Sequence, residues 1–582
     1  MNNFDKNFHI NFSPLYMAIV VMLGMLIAFE TKASEIEEVI VIAQQEKETK
    51  ADPVEDESII SIVMPAFTYP QGGPGGFVGY AERGAQTIHT SVFVNGIPAN
   101  DPGAGWYDFG HDIAHGQTVK VISGSNSVIY GSGSMAGTVL IQDTIEHGVT
   151  YKTGNNHSPR RYIRVAPVEQ FELSLFDGSI GSVRNDNDEK DNYVNKTARL
   201  NVDVGDFTIV GKFSEYEYDY DNCYDYNWGQ SNDCLQDGKR YNIAIRNNYF
   251  TVGRNYNNAD YTTAQDPTYS NESFRDYMRV GNQSELSKNL IIAYGVDAER
   301  QTYNTISTNS FGSTELNYED ENFGGFINVN ASFIMDYNFG IRVGNDDQNA
   351  LRFGIEKGPW FFNVGNSFRK ANLYEKFGDG WVDGNEDLLP EEGIGYEVGY
   401  GVLSVFRYEF DETIEYQSGY TTTNIITPAT YDEDGNILTE AVTEDVYTNA
   451  TYVNGGDYIT QGIRFSNNFG PFMLSLKYTD TEQARIPKYV GLIQWEQMFN
   501  GVKFNVKYAV NLDRAPSQYD FLPEGQEYLD DLKKLDFTVV KEFTNGVVLA
   551  LKGTNLTDEV VEVTPYYNTQ GRTFNLALNY KW

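Results

Sequence analysis

Residues Trp106-Tyr107-Asp108-Phe109-Gly110-His111-Asp112 bring aromatic rings, two carboxylates and an imidazole into seven positions. Such a cluster could hold a ligand, or it could pack and cap a turn. His111 and His115 are four apart, which on a helix places both imidazoles on one face, as metal ligation can require. Four of the six histidines (His89, His111, His115 and His147) fall within residues 89–147, and His89 in Gln86-Thr87-Ile88-His89-Thr90 is a further candidate. Asp186, Asp188, Asp219, Asp221 and Asp225 are carboxylates that could bind Ca²⁺ and order loops. No complete EF-hand-like spacing joins them, so a solvated acidic rim is the plainer reading, and no cofactor is required. The two cysteines, Cys223 and Cys234, read in an exported chain as a local disulfide closing a polar loop. A metal site is the rival, with no histidine nearby to support it. There is no Gly-x-Ser-x-Gly elbow and no P-loop, and glycine-rich 72–76 does not sit between a strand and a helix. No enzyme is expected.

The elements that must position these residues are strands. Phe574, Leu576, Leu578, Tyr580 and Trp582 alternate with Thr573, Asn575, Ala577, Asn579 and Lys581. Successive side chains of a strand face opposite sides, so one face is apolar and the other polar. The same period of two runs through Val502–Val510, Phe472–Tyr478 and Val547–Leu551. Ten compact turns are expected, at Ala166-Pro167-Val168, Gly205-Asp206, Arg246-Asn247-Asn248, Ser287-Lys288-Asn289, Tyr337-Asn338, Lys357-Gly358-Pro359, Leu403-Ser404, Phe469-Gly470, Phe499-Asn500-Gly501 and Thr544-Asn545-Gly546. Long polar loops, at 181–192, 219–239, 255–272, 370–393 and 421–456, lie between them. Short turns on one rim and long loops on the other are the pattern of an outer-membrane barrel. Ten turns imply about 22 antiparallel strands of roughly 9–11 residues, closed so that no backbone edge meets lipid.

Composition agrees. Of 582 residues, 43 are Lys or Arg and 81 are Asp or Glu, a net charge of −38, which excludes a nucleic-acid binder. Mean hydropathy is −0.44, and only one long apolar run exists, Leu15–Phe29, too short for a polytopic helical membrane protein. Residues 1–33 read as a secretory signal ending at Thr31-Lys32-Ala33. The 41 Tyr and 35 Phe suit aromatic girdles at two membrane interfaces. Residues 34–145 lack the barrel pattern. An acidic linker there leads to three β-like segments, Ser91–Ile97, Gln117–Ser123 and Thr138–Gln142, separated by turn-rich stretches such as Pro98–Gly105.

Here the chain resembles a TonB-dependent receptor of the Gram-negative outer membrane. Glu37-Glu38-Val39-Ile40-Val41-Ile42-Ala43 resembles the TonB box. Arg83-Gly84, Val92–Pro98 and Asn126–Ile141 resemble the plug in order. Phe368–Glu375, Gly384–Glu391 and Glu397–Tyr400 resemble the late-barrel motif, and Asn555–Asp558 and Gly571–Phe574 the C-terminal one. The resemblance implies a signal peptide (1–33), a TonB box with flexible linker (34–57), a shortened mixed α/β plug (58–145) inside the lumen and a transmembrane β-barrel (146–582).

It also implies the mechanics: uptake of a scarce ligand energised by periplasmic TonB, which would pair with Glu38, Val39, Ile40, Val41, Ile42 and Ala43. Ligand would meet the plug apices, where His89, Trp106, Tyr107, Asp108 and His111 are candidates. Arg83 and Lys120 are the candidates for plug–barrel contact, although the family's arginine stands here as Lys120. A ferric siderophore or other metal chelate is the expected ligand class, and an acidic loop surface favours neutral or cationic ligands. Other partners expected are outer-membrane lipid and a surface lipoprotein lid. The alternative is a TonB-uncoupled passive porin or adhesion barrel.

Overall fold

The computed structural model describes most of residues 75–582 and the short strands Lys47–Lys50 and Thr68–Pro70. Residues 1–46, 51–67, 113–115, 182–190, 220–233, 432–436 and a few shorter stretches lie outside the described residues. Those stretches include the signal, Glu38–Ala43, His115, Cys223, Asp186, Asp188, Asp221 and Asp225.

From Gly148 onward the chain winds into a closed antiparallel barrel of 22 strands, the last, Thr573–Tyr580, pairing with the first, Gly148–Asn155. A two-residue strand, Val382–Asp383, adds a parallel pairing to Ala450 and Thr451 on the loop rim. Alternation decides which face of the wall each residue takes. In the last strand Phe574, Leu576, Leu578 and Tyr580 are each 45–48% exposed on the outside, whereas Thr573, Asn575, Ala577 and Asn579 are 2% or less. Trp360, Tyr400, Phe469, Phe499 and Trp582 ring the turn rim, all exposed.

Ten turns connect the strands at one rim, and seven stand where the spacing predicts. Three are displaced. Glu169-Gln170 makes the turn expected at Ala166–Val168. Gly401-Val402 makes the one expected at Leu403-Ser404. Phe333–Met335 replaces Tyr337-Asn338, which lies inside the strand Asp336–Gly344. Pro167 and Asn338 stand instead near the ends of strands, where the ladder admits both.

Strand lengths run from 8 to 21 residues, and eleven of the 22 exceed the expected length. Residues 255–272, expected as loop, are mostly wall: Phe250–Thr262 pairs with Thr268–Ser287. Their polarity misled because this part stands above the apolar band. Arg254 pairs with Asp276, and Arg300 with Glu319, each at 2.5 Å. By parity these four face outward, and charges on a lipid face are costly, so the band ends below them.

The N-terminal region fills the lumen. Its mixed sheet runs in the order Lys47–Lys50, Gln117–Ser123, Gly137–Asp143, Thr90–Val94 and Ile97–Pro98, with Thr90–Val94 parallel to Gly137–Asp143. Within the linker region 34–57, Lys47–Lys50 forms a strand that pairs with Thr118–Val121. One face of the sheet packs Val92, Val94, Val119, Val121, Val139 and Ile141 against Val78, Tyr80 and Phe109. The other places Phe93, Ile122 and Leu140 against Ala244, Tyr277, Phe326 and Phe368 of the wall. The sheet is thus apolar on both faces because it is covered on both.

Candidate functional site

A cavity of about 820 Å³ opens between the plug apices and the wall, within the size range of small-molecule sites. Two plug segments and one barrel loop frame it against the wall. The segment Trp106–Asp112 crosses its floor, and there Gly110 approaches the Gly76 carbonyl so closely that a Cβ would lie 1.8 Å from it. The turn Pro98–Gly105 forms a second side. Asp101 Oδ1 accepts from the amides of Gly103 and Ala104 at 2.8 and 2.9 Å, and Oδ2 accepts from Asn257 at 2.9 Å and Ser273 at 2.6 Å. The carboxylate therefore shapes its own turn and ties it to two barrel strands.

From the loop side comes the helix Leu373–Phe377. Asn372 caps it reciprocally with Glu375, and Arg369 clamps Glu375 at 2.9 Å and Glu391 at 2.6 Å. These bonds hold Tyr374 over the cavity. Leu373 N–H donates to the Pro102 carbonyl at 2.9 Å, joining loop to plug.

Trp106, Tyr107, Asp108 and His111 all line this cavity, joined by Phe77, Tyr216, Tyr218, Tyr303 and Tyr452. His111 stacks on Tyr216 with ring centroids 3.7 Å apart. Burial, and then the Arg240 charge, push its pKa well below the usual imidazole range, so it is neutral at pH 7. Burial likewise raises the Tyr107 hydroxyl, and the Asp112 carboxylate that accepts its hydrogen bond raises it further. Asp112 also accepts from Lys212 of the wall. Burial opposes its ionisation most strongly, but Lys212, the Tyr107 hydroxyl and Arg240 together hold its carboxyl below the usual range.

His89 faces elsewhere. It is fully buried against the wall, with Nε2 2.7 Å from Glu391 Oε2, Nδ1 2.8 Å from the Tyr458 hydroxyl and its ring stacked on Phe410 at 4.8 Å. The sequence places it with the ligand candidates, and the geometry places it in the plug–barrel seam. Arg83 is in that seam too, 2.7 Å from Glu397. Lys120 is half-buried and stands mid-sheet, opposite Leu140 in register. Other ions cross the seam as well, including Asp143 to Arg199 at 3.3 Å and Asp108 to Arg240 at 3.4 Å. Cys234 is buried and disulfide-bonded. Among the described residues no group of three or more His, Cys, Asp or Glu is arranged to hold a metal ion.

Sequence reasoning missed Asp101, Lys212, Arg240, Tyr303 and Tyr374. Asp101 sat in a turn-rich stretch read only as turn, and Tyr374 in a motif read only as family likeness. Lys212, Arg240 and Tyr303 are single inward positions on separate strands. Only closure of the barrel brings them together.

Comparison with known proteins agrees with this arrangement. Residues 34–138 match the model of the TonB-dependent Receptor Plug Domain. No curated protein matches the chain. Among solved structures, the siderophore receptor PirA from Acinetobacter baumannii is similar at 14% identity, covering 95% of this chain and 100% of that one, with a TM-score of 0.67. The ferric enterobactin receptor PfeA from Pseudomonas aeruginosa, a mutant solved with enterobactin, is similar at 12% identity, 93% and 100% coverage and a TM-score of 0.66. The copper transporter OprC is similar at 12% identity, 95% and 99% coverage and 0.63. At these identities the likenesses show the fold. The plug match and the barrel closed around that plug are together the architecture of the TonB-dependent receptors, outer-membrane proteins of Gram-negative bacteria.

Proposed function

We propose that the protein imports a scarce metal chelate, a ferric siderophore being the first candidate, using energy delivered by periplasmic TonB. The observation that carries the reading is the position of the cavity. It lies on the loop-facing side of a plug whose second face is packed on the wall and whose buried charges are paired across the seam. A ligand bound there is held above a filled lumen, and the outer membrane has no nucleotide supply of its own to move the plug. Glu38–Ala43 supplies the means: a β-prone run suited to adding a strand to a partner sheet. The outward apolar band meets outer-membrane lipid, and a surface lipoprotein covering the loop rim would appear as a co-purifying protein.

The neighbours support the class of cargo, since those named above are receptors for siderophores or a transporter of copper. A passive porin is the competing reading, and a filled lumen tells against it. The test is uptake of radiolabelled ferric chelate into cells carrying the receptor as their sole importer, with and without an inner-membrane uncoupler. The expected result is loss of at least nine-tenths of the accumulation. Accumulation insensitive to the uncoupler would establish the passive barrel instead.

A further inference from the structure

Resting on that reading, we infer that the cavity selects a chelate carrying no net negative charge, and so discriminates against anionic complexes such as a triscatecholate. Among the described residues its lining holds three cations, Lys212, Arg240 and Arg275, against four carboxylates, Asp101, Asp108, Asp112 and Glu375. Each cation is already engaged. Lys212 donates to Asp112. All three nitrogens of Arg240 are used: Nε donates to Asn257 at 3.0 Å, Nη1 to the Asp108 carbonyl at 2.8 Å and Nη2 to its carboxylate at 3.4 Å. Arg275 Nη1 donates to Glu299 at 3.2 Å, and its Nε is buried without a partner. An arriving anion would have to displace a buried carboxylate to reach Lys212 or Arg240, and breaking a buried pair leaves a charge uncompensated.

Asp101 is the second, independent observation. Its four hydrogen bonds come from two backbone amides, an asparagine amide and a serine hydroxyl, with no cation among them. Its charge is delocalised over neutral donors and still repels an anion at the cavity wall. Much of the remaining lining is aromatic, with Phe77, Trp106, Tyr303, Tyr374 and Tyr452 among neutral amides and hydroxyls; aromatic rings attract cations and tolerate neutral flat groups. A metal complex whose ligand charges are balanced by the metal, presenting amide and hydroxyl edges, meets all of this without displacing any pair. A cationic complex meets it equally, and the two differ only in how affinity responds to salt.

The test is titration of the purified full-length receptor, followed through tyrosine and tryptophan fluorescence. The probes are a neutral ferric trihydroxamate, a cationic cobalt hexammine and an anionic ferric triscatecholate, each at 20 and 500 mM salt. The expected result is that a neutral or cationic probe binds at least tenfold tighter than the triscatecholate at low salt, with the gap to the anion narrowing at high salt as charges are screened. Salt-independent affinity marks the neutral class, and affinity weakened by salt the cationic one. Asp101→Asn removes the uncompensated charge and Asp112→Asn frees Lys212, so either change raises triscatecholate affinity several-fold. Asp101→Asn leaves every buried ion pair intact and serves if the Asp112 variant fails to fold. Triscatecholate binding as tightly as the other probes, or failure of all three to bind, overturns the inference. The energised-import reading is judged separately by uncoupler-sensitive accumulation in cells, whichever probe binds.

Discussion

At the scale of single residues the plug is held by buried charges whose neighbours set their ionisation. Glu82 of the plug is fully buried beside Arg83, which itself reaches Glu397 of the wall. Burial alone would raise its pKa. The Arg83 charge, with Lys477 and Arg464 behind it, overcomes burial and brings the value down from 4.5 to about 2. A carboxyl depressed in the folded state contributes stability above its unfolded pKa and loses that contribution as pH falls through the folded one. The plug is therefore expected to be fully docked above pH 5 and to lose on the order of 3 kcal/mol between about pH 4.5 and 2. Hydrogen exchange of plug amides across that range measures it. Glu82→Gln should flatten the dependence, and an unchanged profile in that variant would refute the assignment. The site was half legible at this scale. The cluster Trp106–Asp112 announced itself because its residues are contiguous, and the structure brings it into the cavity. His89 carries no local mark that separates a ligand-facing imidazole from one wedged between Glu391 and Phe410. The inward residues Lys212, Arg240 and Tyr303 carry none at all, because nothing local tells which inward positions end at the plug apex.

The elements were more legible, since a strand's period of two is a local property. Phe574, Leu576 and Leu578 follow it outward, and Thr573, Asn575 and Ala577 inward, as their exposures show. That parity makes a prediction about membrane stability. Leu576→Arg places a charge on the outer face and is expected to cost about 2–4 kcal/mol if it lies near the midplane. Asn575→Gln, its inward neighbour, stays polar and should cost about 1 kcal/mol, through crowding alone. Denaturant titration of refolding into vesicles measures both, and equal costs would contradict the assignment of faces. Where reading failed, it failed for a physical reason. The walls from Phe250 to Ser332 rise past the bilayer, so their outward residues turn polar and imitate loop. Lys47–Lys50 is a strand of four polar residues, with no apolar alternation to reveal it, and it exists because the edge of Gln117–Ser123 offers it partners.

At the scale of the whole molecule, a net charge of −38 and a membrane address are compatible because the two are kept apart in space. Apolar side chains occupy the outer face of the wall, while carboxylates line the lumen, the plug seam and the walls above the bilayer. The same separation fills the barrel: the plug seals the pore through paired charges and apolar packing, and holds the cavity on its upper side. On the proposed function, a pore closed in this way imports only when something pulls, which makes coupling to TonB the central claim. It is tested most directly by measuring ligand binding and uptake side by side for Ile40→Pro, since proline removes a ladder donor from the strand that TonB would pair. The account predicts binding within twofold of the unmodified receptor and uptake reduced at least tenfold; unchanged uptake would contradict it.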